Sequence, residues 1–320
     1  MNAKKIIAAK ESSISRNESS MPLDSTIYPW TLSGLNPLPE EEWNLMLKFL
    51  NINDQEFEGM RASVEALLKH SQQFVIDNYQ YLASFPETAT ILGWESGVDE
   101  SHLADRRRFF AIWVARLLGM DFSSDLANYL FLAGQYHAGH GPRQIHVPSI
   151  YVNGAISHTL SYFAKVLNIE KPTDPSNTGA LSGWGKVLGM HLQMMLSGYQ
   201  SATAIMDGTM EIRVRLFSKI RALLKRSEIN IHLPPDSSIT DLLTRFFNYY
   251  PQLRPVALQV EWVSHEIDDT LGNPWTHVKA NYLPKPGWRV LINGFDINYL
   301  PPSKVKLQAG DIVDIFPPGR

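Results

Sequence analysis

Hydrophobic positions follow two different periods along the chain, and the change between them falls near residue 207. From residue 41 to about residue 206, apolar residues recur three and four positions apart, which is the spacing of one helical face. After residue 207 they alternate with charged residues, as Ile212, Val214 and Leu216 do in the run MEIRVRL. The pattern predicts a helical domain followed by a second domain that contains strands.

The helical part divides into long segments with recognisable ends. Asn53 or Asp54 is a candidate N-cap for a helix that continues to about residue 85. The run 101–120 predicts an amphipathic helix with Arg106, Arg107 and Arg108 near its start. Further helices are predicted over 152–167 and 179–206, separated by a loop rich in turn residues.

Residues 125–156 place a histidine on an apolar helical stripe. Leu126, Leu130, Ala133 and His137 fall at i, i+4, i+7 and i+11, and glycines and a proline after His137 end the helix. An imidazole in this position must find a hydrogen-bond partner, bind a metal, or remain unsatisfied at a cost of roughly 1–3 kcal/mol. A core histidine with a partner and a metal ligand are therefore both open interpretations.

A zinc site is the less favoured metal interpretation. His140 and His146 lie near His137, but the chain contains no cysteine and no acidic residue between Asp125 and Ile156. A complete zinc ligand set would need residues from distant parts of the chain.

The run AGQYHAGHG, followed by Pro148, Tyr151, Gly154 and Ala155, resembles the proximal-histidine region of sensor globins and protoglobins. The resemblance extends from about residue 40 to residue 206. It implies an all-α globin fold that binds haem b, with His137 as the ligand of the iron and His140 as the fallback. Diatomic gases such as O2, CO or NO are the ligands that it implies.

The same resemblance suggests further contacts with the cofactor. Tyr79 stands where these globins carry a distal tyrosine that hydrogen-bonds bound oxygen, whereas Asn78 replaces their usual phenylalanine. Phe109 or Phe110 would pack on the porphyrin, and Tyr151 would be a further contact. An aromatic core residue is an equally good interpretation of Tyr79, and core packing accounts for the other aromatic residues at least as well.

The second part predicts strands, turns and a helix in a characteristic order. INIHLP reads as a strand, ITDLLTRFFNYY as a helix capped by Ser237 or Ser238, and Asn293-Gly294 as a hairpin turn. The phrases VRLFSKIR, LPPDSSITDLL, VLINGFDI and GDIVDIFPP resemble, in this order, the ubiquitin-like sulfur carriers of molybdopterin and thiamine synthesis. This resemblance implies an α+β ubiquitin-like β-grasp domain over residues 210–320, with an insertion near 261–286 of unassigned structure.

The final residues depart from that carrier family. Its members end in Gly-Gly, because the terminal carboxylate enters a narrow adenylating site, whereas the sequence here ends in Pro-Pro-Gly-Arg. Gly319 is followed by the bulky, cationic Arg320. We therefore expect an interaction module without carrier activity.

Composition narrows the remaining classes. The 320 residues carry a formal charge of -3, which gives no basic surface for nucleic acid, and no stretch approaches the roughly 20 apolar residues of a membrane span. We expect a disordered tail over residues 1–38, a haem domain over 39–206, a cytoplasmic location and, from the globin resemblance, a homodimer. No convincing catalytic set is present, since Glu266, Asp268 and Asp269 are explained by a solvated acidic loop in the insertion.

Three functional interpretations remain open at this point. The first is a haem-binding globin that binds or senses a gas and is coupled to a β-grasp module with a protein partner. The second keeps the globin fold without haem, as an interaction scaffold. The third is a sulfur carrier for molybdopterin or thiamine synthesis with a regulatory globin domain.

Overall fold

The computed structural model describes residues 30–268, 274–300 and 305–318, and its first domain is helical. No helix in this part of the chain is long and apolar enough to cross a membrane. The helices are α1 Pro39–Leu50, α2 Asp54–Ser84, α3 Pro86–Leu92, α4 Glu100–Leu118, α5 Ser124–His137, α6 Ser149–Glu170 and α7 Ser176–Ile205. The predicted helical segments are confirmed, with boundaries shifted by a few residues.

Capping side chains fix where α2 and α5 begin. The Asn53 side chain accepts a hydrogen bond from the backbone N–H of Glu56, and the Glu56 carboxylate accepts one from the backbone N–H of Asn53. Ser123 caps α5 with a single bond, since its hydroxyl accepts from the backbone N–H of Leu126. The helix that carries His137 therefore starts and ends at positions set by local sequence.

Glycines allow α5 and α7 to cross at very short range. A Cβ atom at Gly134 would lie 1.9 Å from the carbonyl oxygen of Met195, and one at Gly198 would lie 1.9 Å from that of Phe131. Real Cβ atoms do not approach backbone this closely, so both positions require glycine. The crossing sets the position of α5, and with it the position of His137.

The second domain is a five-stranded mixed sheet with a helix packed against it. Its elements are β1 Met210–Leu216, α8 Ser218–Leu224, β2 Glu228–Leu233, α9 Ile239–Tyr249, a 3-10 turn Pro251–Leu253, α10 Arg254–Ala257, β5 Arg289–Ile292, β6 Phe295–Asp296, a 3-10 turn Ile297–Tyr299 and β7 Ile312–Phe316. The strand order is β2-β1-β7-β5-β6, with β1 parallel to β7 and the other neighbours antiparallel. This is the β-grasp arrangement, and the fold predicted for this half is confirmed.

The unassigned insertion forms a separate two-stranded ribbon. Strands β3 Leu258–Asp268 and β4 Pro274–Pro284 pair antiparallel, and residues 269–273, including Asp269, lie outside the described residues. Trp262 and Trp275 are 73% and 61% exposed on this ribbon. The ribbon is an addition to the β-grasp sheet, with which it shares no strand pairing in the described residues.

The prediction of a disordered tail over residues 1–38 is wrong for residues 30–38. Trp30 is 6% exposed and Leu32 is completely buried, and both belong to the core of the second domain. The backbone of Leu32 also exchanges two hydrogen bonds with Tyr282, of 3.0 and 2.8 Å. Burial of two large apolar side chains offsets the entropy of ordering this segment, which average composition does not reveal. Residues 1–29 lie outside the described residues.

The end of α7 packs directly against the second domain. Ala202 and Ile205, at the end of α7, are buried in the apolar core of the β-grasp domain. The guanidinium of Arg245 donates hydrogen bonds to the carbonyl oxygens of Ala204 and His232, at 2.5 and 2.8 Å. The last helix therefore enters the second domain with little intervening linker.

Candidate functional site

His137 is the last residue of α5 and is half-buried. Its Nδ1 lies 2.7 Å from the carbonyl oxygen of Ala133, one turn earlier in the helix. Because a carbonyl can only accept, Nδ1 carries the proton and Nε2 presents a free lone pair. Burial lowers the pKa of the imidazole, the Ala133 hydrogen bond opposes this, and the charge of Arg106 lowers it further. A neutral imidazole with a free Nε2 is the form that binds a metal.

The two histidines that follow His137 in the sequence, His140 and His146, have separate partners. Nδ1 of His140 lies 2.8 Å from the hydroxyl of Tyr249 in the β-grasp domain, and Nε2 of His146 lies 2.7 Å from the hydroxyl of Tyr199. Within the described ranges, no three histidine, aspartate or glutamate side chains are grouped as a metal site would require. Of these three histidines, His137 is the one whose ring is bonded to a backbone carbonyl, which fixes Nδ1 as the donor and leaves Nε2 as the acceptor.

Tyr79 lies in an aromatic cluster between α2 and α4. Its hydroxyl donates a hydrogen bond of 3.0 Å to the backbone carbonyl of Arg106, and its ring meets that of Phe110 edge to face, with 5.9 Å between centroids. Burial raises the pKa of Tyr79, and the charges of Arg106 and Arg107 oppose this increase. The phenol is therefore neutral, with its single donor already used.

Arg106 is the arginine of α4 that contacts Tyr79, and the sequence did not distinguish it from its two neighbours. Its Nε donates to Nε2 of the buried His102, one turn earlier in α4, at 2.9 Å. Burial lowers the pKa of Arg106, and its charge acts on both Tyr79 and His137. The i, i+4 spacing between His102 and Arg106 is the sequence feature that could have identified this arginine.

The other predicted contacts lie in different surroundings. Phe109 is 52% exposed, with the guanidinium of Arg108 5.0 Å from its ring, whereas Phe110 is half-buried and packs against the cluster. This favours Phe110 over Phe109 as a cofactor contact. Tyr151, in the first turn of α6, meets Phe85 edge to face at 6.4 Å.

The residues present fit haem on the proximal side. His137 is a neutral imidazole at a helix end, and a backbone carbonyl orients its ring. Haem iron in globins takes a histidine ligand of this kind. The rings of Tyr79 and Phe110 pack on each other in the structure, and Tyr79 is buried.

The β-grasp domain ends with contacts on its own body. Phe316 of β7 stacks on Phe217 with 4.1 Å between ring centroids, and a Cβ atom at Gly287 would lie 2.9 Å from that of Pro318. Gly319 and Arg320, on which the expected loss of carrier activity depends, lie outside the described residues.

Similarity to known proteins falls into the same two parts of the chain. The sequence profile of the family described as Protoglobin matches residues 39–204. Small archaeal modifier protein 1 from H. volcanii is 16% identical, with a TM-score of 0.23, and the match covers 35% of this chain and 100% of that chain. The solution structure of small archaeal modifier protein 1 from Methanosarcina acetivorans is 23% identical, also with a TM-score of 0.23, and its match covers 34% and 93%. No curated protein matches this chain.

The profile match includes α1 and all but the last residue of α7. It spans more than half of the 320 residues, and it confirms the globin fold predicted for the helical part. The chain belongs to the protoglobin family.

Proposed function

We propose that the helical domain binds haem b through Nε2 of His137 and serves as a gas-binding or gas-sensing globin. The observation that carries this proposal is the 2.7 Å hydrogen bond from Nδ1 of His137 to the Ala133 carbonyl, in a protoglobin domain. When bound, haem would supply reversible binding of a diatomic gas such as O2, CO or NO. His137 would hold the iron, and Phe110, Tyr79 and Tyr151 would be cofactor contacts.

The distal groups of this site differ in what they offer a bound gas. The Tyr79 hydroxyl must give up its bond to the Arg106 carbonyl before it can donate elsewhere, because it has one proton. The Arg106 guanidinium keeps further N–H donors beyond the one used by His102. We assign to both residues the role of polar contacts on the distal side.

The β-grasp domain is proposed as a protein-interaction module that responds to the globin domain. Two side chains of the α5 region support the coupling, because Gln135 and His140 both bond to Tyr249 in α9. They lie two residues before and three residues after His137. A displacement of α5 would therefore change the hydrogen bonds to Tyr249, and gas binding would cause one if the gas bound two positions of α5 with different affinity.

The test is the visible spectrum of the full chain produced with haem, oxidised and reduced, with and without carbon monoxide. We expect an intense Soret band that shifts with carbon monoxide. In His137→Ala, haem affinity should fall by about 100-fold or more, because losing even an outer partner of a ligand costs roughly 10–100-fold. His140→Ala is the matched control and should keep the band.

The competing functions predict different spectra. A folded, colourless protein would contradict haem binding and leave a haem-free interaction scaffold as the function. Loss of the band in His140→Ala, with its retention in His137→Ala, would move the ligand to His140 and keep the globin function.

A further inference from the structure

An open cavity lies between the two domains, beside the helix that carries His137. Its volume is about 370 Å³. One wall comes from the end of α5 and the loop that follows it, including Gln135, His140 and Gln144. The other wall comes from the β-grasp domain, with Arg226, Tyr249 and Tyr250 among its residues. This size is at the lower end of that of small-molecule sites.

The charge in this cavity is positive. Arg226 is the cation among its lining residues, and none of those residues is acidic. Within the described residues, no carboxylate lies within 4.0 Å of the Arg226 guanidinium, although other arginines such as Arg215 and Arg116 have such partners. Burial has the largest effect on the neighbouring rings: it lowers the pKa of His140 and raises the pKa of Tyr249 and of Tyr250. The charge of Arg226 lowers all three pKa values to a smaller extent. The positive charge of Arg226 is therefore close enough to affect the ionisation of the rings that line the cavity.

Neutral hydrogen-bond donors complete the lining. Gln144 and Gln252 contribute side-chain amides, and the Tyr250 hydroxyl has no protein partner among the described residues. Nδ1 of His140 is bonded to the Tyr249 hydroxyl, and in the tautomer in which Nδ1 accepts, Nε2 is a further donor. An arginine fork with several amide and hydroxyl donors, and without a carboxylate, suits an oxyanion.

We propose that this interdomain cavity is a binding site for a small anion that carries a phosphate or carboxylate group, held by the guanidinium of Arg226 and the polar side chains around it. The cavity is separate from the proposed haem contacts, because neither His137 nor the aromatic cluster lines it. Residues of both domains form its walls, so an anion bound there would stabilise the docked arrangement of the two domains.

The experiment is isothermal titration of the full chain at low ionic strength, because salt screens an exposed arginine. The probes are inorganic phosphate, AMP and citrate, which separate free phosphate, a nucleoside phosphate and a carboxylate. The variant is Arg226→Gln, and the matched control is Arg221→Gln, an exposed arginine of α8 outside the cavity. Circular dichroism verifies that each protein is folded.

We expect saturable binding of at least one probe, weakened at least about tenfold by Arg226→Gln and unchanged by Arg221→Gln. The melting temperature of the native chain should rise with that probe, and that of Arg226→Gln should not. Absence of saturable binding for all three probes, or equal affinity in Arg226→Gln, would overturn the proposal. Because the titration is run on protein with and without haem, failure of the anion site is distinguishable from failure of haem binding.

Discussion

The side-chain amide of Gln135 donates a hydrogen bond of 2.8 Å to the backbone carbonyl of Tyr249, across the boundary between the globin and β-grasp domains. Both residues are buried, and the same amide also reaches the Ser201 hydroxyl at 3.3 Å. A buried glutamine with both bonds in place joins the His137 helix to the second domain at a fixed distance.

Gln135→Leu should destabilise the contact between the domains. The substitution leaves the Tyr249 carbonyl without this donor, and a buried unsatisfied polar group costs roughly 1–3 kcal/mol. We expect the free energy of unfolding to fall by that amount, measured by urea denaturation with tyrosine and tryptophan fluorescence. Gln73→Leu, at an exposed position of α2, is the control and should change stability little. An equal effect of both substitutions would refute the role of Gln135.

Gly134→Ala should separate α5 from α7. The added Cβ would meet the Met195 carbonyl oxygen at 1.9 Å, so the helices must move apart, at a cost of roughly 1–3 kcal/mol. Gly189→Ala is the control within α7, because nothing lies within 4 Å of its added Cβ, and it should stabilise by about 0.5–1 kcal/mol. Thermal unfolding of the two variants gives the comparison, and a stabilised Gly134→Ala protein would show that the close crossing is absent.

Tyr79→Phe measures how much the distal hydroxyl contributes to gas binding. The hydroxyl already donates to the Arg106 carbonyl, so a bond to the gas replaces an existing bond. A net difference of about 0.5–1.5 kcal/mol corresponds to an O2 dissociation rate that rises by roughly 2–12-fold. Stopped-flow measurement on the haem-loaded variant provides the rate. An acceleration of several hundredfold would contradict this exchange, because it exceeds the net value of one hydrogen bond replaced by another.

Acid should weaken the attachment of α2 to α7 through Glu56. Hydrogen bonds from Lys186, Ser182 and the Asn53 backbone lower the pKa of Glu56 from 4.5 to about 2. Because the folded pKa lies below the unfolded one, the stabilisation is complete above pH 4.5 and is lost as the pH falls from 4.5 towards about 2.

The pH dependence of urea denaturation tests this assignment. In Glu56→Gln, the decline of unfolding free energy between pH 4.5 and pH 2 should be shallower than in the native chain. Glu65→Gln, at an exposed position of α2, is the control and should retain the native slope. Identical slopes in all three proteins would contradict the assignment.

The sequence by itself determined the local features of this protein. The stripe that ends at His137, the Asn53 cap and the Asn293-Gly294 turn, with φ of 52° and 85°, depend on residues within a few positions of each other. Helical period, cap side chains and positive-φ turns are set by neighbouring residues, so they can be read before the chain folds. The β-grasp fold of the second half was predicted from the resemblance of four short phrases, in order, to a known family, and not from local pattern alone.

Only the tertiary structure decided which distant groups meet. His140 and Tyr249 are 109 positions apart, and Tyr79 and Arg106 are 27 apart. The three successive arginines of α4 are chemically identical in the sequence. Arg106 differs from the other two because it bonds to His102 and its carbonyl accepts from Tyr79 of α2. The burial of Trp30 and Leu32 likewise depends on a sheet formed by residues far along the chain. Spacing fixes the face on which a side chain lies, but the partner on that face is fixed by how the elements pack.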